Sequence, residues 1–131
     1  RVYPKLFADR NKPMTETCMC WGFEIGDGWF NIINQLCQNI QHHIDWKNKT
    51  EEVVPQVVVD QVKEKFGTLR FYYHGGDDYI SGLVSMAESM SGVTCEECGK
   101  PGESRNEGWI KVLCEEHHME REDRRKERMQ S

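Results

Sequence analysis

The spacing of apolar residues changes along this chain, and each change marks an element. In "TCMCWGFEI", Thr17, Met19, Trp21, Phe23 and Ile25 alternate with Cys18, Cys20, Gly22 and Glu24. A period of two predicts a strand with one apolar face. From Trp29 the spacing becomes helical. Trp29, Ile32, Ile33, Leu36, Cys37, Ile40 and Ile44 fall on one stripe and predict an amphipathic helix to about Trp46. The "GDG" ahead of it is a turn, with Asp27 the expected N-cap.

"QVVVDQVKEKFGTLRFYYHGG" is rich in β-branched and aromatic residues and predicts two strands around a turn near Lys65–Gly67. In its second strand, Leu69, Phe71 and Tyr73 share the face expected to meet the core. Arg70, Tyr72 and His74 share the outer face, with Lys63 and Lys65 on the partner strand. After "HGGDD" the helical period returns at Ile80, Leu83, Val84, Ala87 and Met90, closed by a glycine cap in "SGV". Residues 1–16, with Pro4 and Pro13, are expected to form an extended arm. Helix, hairpin and helix in that order give an α+β class and not an alternating βαβ one.

The last third has its own chemistry. Cys95 and Cys98 form a C-x₂-C, and fifteen residues later Cys114 and His117 form a C-x₂-H. A C-x₂-C turn brings two thiolates onto one ion, and a second pair one helical turn apart supplies the other two corners of a tetrahedron. The fifteen residues between are the length of a short hairpin, with Trp109 and Val112 or Leu113 available to cover the metal. Knuckle, hairpin and ligand-bearing helix are the order of a treble-clef zinc finger. His118 competes with His117 as fourth ligand, and helical phasing favours His117. Residues 1–92 therefore read as an α+β core of two amphipathic helices and a small antiparallel sheet, with the arm. Residues 93–131 read as a treble-clef-like zinc-finger subdomain ending in a charged helix.

Four protein ligands make a closed, structural Zn²⁺ site, whereas a catalytic zinc keeps one position for water. Treble clefs that cut nucleic acid carry a histidine base between the ligand pairs. Here that interval has no histidine and no aspartate, and Asn106 alone cannot activate water. No Ser-His-Asp arrangement or glycine-rich phosphate loop is present, and "EIGDGW" is not a G-x-G-x-x-G. A non-enzymatic protein is expected.

Cys18 and Cys20 could take a second metal with His42, His43 or His74, but C-x-C is a weak spacing and small half-buried thiols are the plainer reading. Cys37 lies in the helix stripe and reads as core. Lys63, Lys65, Arg70, Tyr72 and His74 make a basic–aromatic surface that could stack bases or hold an acidic partner, set against the plain reading of a solvated sheet face. The final helix, "EEHHMEREDRRKERMQ", is polar all round and expected to be solvated, with a docking arm as the other reading.

Composition narrows the field. The net charge of −5 is spread over both parts, nine Lys/Arg against twelve Asp/Glu in residues 1–92 and eight against ten in residues 93–131. Neither part has the positive excess that non-specific nucleic-acid binding draws on. No apolar run approaches the roughly 18 residues of a membrane span. The opening residues lack an apolar signal-peptide region, so the six cysteines are expected to be metal ligands and reduced thiols in a cytoplasmic protein.

Together, "TCMCWGFEIGDGW", "VKEKFGTLRFYY" and "CEECGKPGE…GWIKVLCEEH" resemble a family of small proteins encoded by tailed bacteriophages and prophages. The resemblance covers roughly residues 3 to 118. It implies a setting, a phage gene product in the host bacterial cytoplasm, and no mechanism. Small acidic proteins in that setting often act on host machinery, for example by blocking a defence system. The expected function is therefore binding of a host or phage macromolecule, and two other classes stay open: a nucleic-acid-binding regulator and an inhibitor that sequesters a nucleotide signal.

Overall fold

The computed structural model of the chain describes residues 3–8, 25–106 and 108–130. The strand expected across Thr17–Ile25 lies, up to residue 24, outside the described residues. α1 spans Phe30–Lys47 and buries Ile33, Leu36, Cys37, Ile40 and Ile44, the stripe that the helical spacing predicts. A single 3₁₀ turn, Asp27–Trp29, leads into it. That turn moves the helix start past Asp27, so Asp27 is not the cap. Trp29 occupies the N-cap position without a side-chain bond and is itself fully buried.

β1 (Val58–Lys65) and β2 (Thr68–His74) pair antiparallel around a two-residue turn. A bulge between Val59 and Gln61 shifts the register, so Val59 and Val62 both reach the core beside Leu69 and Phe71. Tyr73 is half-buried on the same side. On the other face Lys63 stands opposite Arg70, Gln61 opposite Tyr72 and Lys65 opposite Thr68.

α2 (Asp78–Ser91) buries Ile80, Val84, Ala87 and Ser91. Met90, expected on this stripe, is 48% exposed, because the position four residues after Ala87 is Ser91. The serine has a polar task there. Its hydroxyl accepts the Leu69 N–H (2.8 Å) and donates to the Glu88 carbonyl (2.6 Å), while Glu88 Oε2 accepts the Phe71 N–H (2.9 Å). Side chains of α2 thus satisfy backbone donors of β2 that would otherwise form an open sheet edge.

The first residues do not form an extended arm over 3–8. They make a turn closed by the Phe7 N–H on the Tyr3 carbonyl (3.2 Å), and Leu6 and Phe7 are buried in the core. Two adjacent apolar side chains outweigh the extended preference read from the prolines. The Leu6 carbonyl accepts the Val59 N–H (2.7 Å), which ties the turn to β1.

β3 (Glu103–Arg105) and β4 (Lys111–Leu113) form a second antiparallel pair, followed by α3 (Glu115–Gln130). The described residues are therefore α+β, with three helices and two small antiparallel sheets. No helix among them is long and apolar enough to cross a membrane.

One polar contact joins the two core helices. Asp77 caps α2 by accepting the Ile80 N–H (3.0 Å) and also accepts from His43 Nε2 of α1 (2.8 Å), whose ring stacks on Tyr79 at 4.2 Å. Burial works against the Asp77 carboxylate, but the bonds from His43 and Ile80 outweigh it and hold its pKa below the ordinary value. Asp77→Ala removes the cap and the helix-to-helix contact together. It should lower stability by about 1–2 kcal/mol in urea unfolding, with α2 losing amide protection first. An unchanged midpoint would mean the cap is idle.

Candidate metal centre

The ligand side chains are placed by three short pieces of backbone. The Cys95–Gly99 turn is closed by the Gly99 N–H on the Cys95 carbonyl (2.9 Å), and the Cys95 N–H bonds the Lys100 carbonyl (2.7 Å). Gly99 has φ +86°, which lets the chain reverse directly behind Cys98. The Glu96 N–H bonds the Val112 carbonyl (3.0 Å), so this turn lies against β4. Cys114 follows β4, and His117 lies on the first turn of α3.

Cys95, Cys98, Cys114 and His117 converge, with one ligand atom from each inside a 4.8 Å group. Cys98 Sγ and Cys114 Sγ are 3.8 Å apart, far beyond a disulfide bond. His117 Nδ1 is 3.3 Å from Cys114 Sγ and 3.7 Å from Cys95 Sγ. A tetrahedral zinc with ordinary bond lengths puts sulfurs about 3.8 Å apart and sulfur and nitrogen about 3.6 Å apart. The donor set and its edges fit such an ion. His117 completes the group, and His118 is not part of it.

The acid–base chemistry agrees with a site built for a cation. The Cys114 thiol is pulled down to about 7, first by the backbone N–H of His117 and also by its ring, against the effect of burial. His117 is raised, chiefly by its bond to Cys114. Cys98 gains a stabilising N–H from Lys100, but desolvation and the neighbouring thiols outweigh it and its pKa is raised. Thiols this close hinder one another's ionisation, and a bound dication removes that conflict by holding them as thiolates.

The turn that carries Cys95 and Cys98 is seated on the start of α1. The Gly28 N–H donates to the Glu96 carbonyl (2.7 Å), and the Gly26 N–H donates to Glu96 Oε2 (3.1 Å). Trp29 Nε1–H donates to the Thr94 carbonyl (2.9 Å). A Cβ on residue 28 would stand 2.1 Å from the Cys95 carbonyl oxygen, and one on residue 26 would stand 2.5 Å from the Glu96 carbonyl oxygen. Glu96 is buried, and burial pushes its carboxyl up against the opposing pull of the Gly26 N–H. These bonds cross the boundary drawn from sequence between residues 92 and 93.

The other sequence-derived candidates fall in separate places. Lys63, Lys65, Arg70, Tyr72 and His74 do share the outward side of the first hairpin. Lys63 Nζ lies 5.9 Å from the Tyr72 ring centroid, and His74 pairs with Asp60 (3.0 Å). Trp109 does not cover the ligands: it is 70% exposed, and Leu113 packs with Cys95 and Cys114 instead. Cys18 and Cys20 lie outside the described residues. Their suggested partners His43 and His74 each engage a different carboxylate. Cys37 is buried, which pushes its thiol up to about 12 and leaves it inert at neutral pH.

Comparison with protein-family models, curated proteins and solved structures finds no match. Sequence reasoning missed the Glu96 seat and the His43–Asp77 contact. The first had a signal, two glycines flanking an acid just ahead of a helix. The second had none, because its partners are 34 residues apart.

Two variants separate ligation from seating. Cys114→Ser removes a thiolate from a site whose metal binding is worth on the order of 10 kcal/mol and is coupled to folding. Hydrogen exchange should show residues 94–118 unprotected while α1 stays protected. Gly28→Ala keeps every ligand, so the metal should still bind, but the crowded seat should cost about 3 kcal/mol in denaturant. Full zinc retention by Cys114→Ser, or a neutral Gly28→Ala, would contradict this reading.

Proposed function

We propose that this chain is a non-catalytic binding protein in which one structural zinc ion completes a treble-clef-like finger. The observation that carries this is the donor set, three thiols and one imidazole spaced as the corners of a single tetrahedron. Such a site is filled by the protein itself and offers substrate no place on the metal. The order of a cysteine turn, the β3–β4 hairpin and the ligand-bearing helix α3 supports the treble-clef comparison.

The binding surface in this reading is the outer side of β1 and β2. Lys63, Lys65 and Arg70 have no carboxylate within ion-pair distance among the described residues, and Tyr72 is 40% exposed beside them. By contrast Lys47, Lys100, Arg105, Lys111 and Arg125 each pair with an acid. The resemblance to phage-encoded proteins favours a host or phage macromolecule in the bacterial cytoplasm as the target, with inhibition of a defence system as the activity.

The test is a double variant, Arg70→Ala with Tyr72→Ala, measured against a partner captured from host lysate and then purified. Arg and Tyr are the residue types that dominate interface energetics, so affinity should fall by about 2 kcal/mol or more. Their cross-strand contacts on an outer sheet face limit the stability loss to about 1 kcal/mol. Unchanged affinity would remove this face from the proposal, and a large stability loss would mean that the pair is structural. Salt-sensitive binding to nucleic acid in place of a protein would favour the regulator instead.

A further inference from the structure

The tips of the two hairpins meet beside the outer sheet face and enclose a cleft of about 360 Å³. Glu64, Lys65 and Phe66 line it from the first hairpin, and Gly108, Trp109 and Ile110 from the second. We propose that this cleft receives the aromatic or large aliphatic side chain of an acidic segment in a partner protein. The proposal rests on the reading of this chain as a binding protein.

The first support is a backbone conformation with no structural return. Phe66 has φ +54° and Gly67 has φ +84°, the left-handed pair of a tight hairpin turn. Asn or Gly suits the first position of such a turn, and a bulky side chain there is strained. Phe66 gains little burial in exchange, since it is 71% exposed. Strain that the fold does not use is a mark of a working surface.

The second support comes from the opposite tip. Trp109 is 70% exposed and follows Gly108, whose φ is +80°. Its position is set by the main chain, because Arg121 of α3 donates to the Trp109 carbonyl. Gly67 lies against Ile110, with a Cβ there only 3.1 Å from the Ile110 Cγ2 atom. The two hairpin tips are therefore held together by contacts outside the aromatic rings. A cavity at the lower end of the roughly 300–1,000 Å³ range of ligand sites suits one large side chain.

Charge decides the kind of partner. Lys65 lines the cleft with its Nζ 5.9 Å from the Phe66 ring centroid, and Lys63 and Arg70, with no ion-pair partner among the described residues, continue along the same hairpin. The carboxylate within the cleft is already engaged, as Glu64 Oε2 accepts the Gly67 N–H (2.7 Å). Glu64 and Lys65 offset each other in the cleft, so the positive excess is that of Lys63 and Arg70 beside it, which matches Asp or Glu flanking an apolar anchor. A nucleic-acid backbone would need a longer basic track, and the whole chain carries −5.

A displayed library of random short peptides, selected on the zinc-loaded protein, tests this directly. The enriched pool should be acidic around one Trp, Phe or Leu. Recovered peptides should bind Trp109→Ala and Phe66→Asn about tenfold or more weakly than the wild type. Phe66→Asn should also melt at the same temperature as the wild type or higher, which a structural role for Phe66 would not allow. If Trp109→Ala does not fold, Phe66→Asn decides alone. No enrichment, a pool without acidic residues, or equal binding to the variants overturns the proposal. So does tighter, salt-sensitive binding of single-stranded oligothymidine. Peptides that lose affinity for the Arg70→Ala and Tyr72→Ala double variant but not for Trp109→Ala would sink the cleft and leave the wider binding reading standing.

Discussion

Residues 26 and 28 have no room for a Cβ atom, because the main chain of Cys95 and Glu96 occupies that space. This close approach connects the helical core to the ligand cluster. It aligns the Gly26 and Gly28 N–H groups with Glu96, and it brings the Trp29 indole to the Thr94 carbonyl. Trp29 is also a fully buried member of the main core. One side chain thus belongs to the main core and fixes the approach to Cys95. The cysteine turn is a built-in part of the molecule and not a finger on a loose tether.

The ligand region cannot draw much stability from its own apolar contacts. Among the described residues its buried hydrophobic cluster contains only Cys95, Leu113 and Cys114, and two of those three are candidate ligands. Its strands have three residues each. Surface ion pairs such as Lys100–Glu116 at 3.8 Å add little in water. Units this small depend on a metal or a disulfide, and the 3.8 Å separation of the Cys98 and Cys114 sulfurs is not a disulfide, which supports the proposed metal. On that proposal ligation would also steady the start of α3, whose Arg121 holds the Trp109 tip.

What was legible in the sequence follows from the range of the forces involved. The α1 stripe from Ile33 to Ile44 and the faces of β2 are local periodicities, and burial matches them. The convergence of Cys95, Cys98, Cys114 and His117 was legible because metal coordination demands fixed residue types at short spacing. Met90 was misplaced because an apolar residue at the stripe's edge resembles one at its centre, while Ser91 holds the inner position through a bond to Leu69, 22 residues away. Asp27 looked like a cap because its residue type is right, and only the extra 3₁₀ turn moves the helix start beyond it. Glu96 and the His43–Asp77 pair depend on contacts far apart in sequence, which no local pattern records.

The most direct measurement of the central claim is zinc X-ray absorption together with elemental analysis, on protein purified without added metal. The account predicts one zinc per chain, with three sulfurs at about 2.3 Å and one nitrogen at about 2.0–2.1 Å. Protein that is folded without zinc, or a zinc shell in which oxygen replaces one of the four protein ligands, would contradict it.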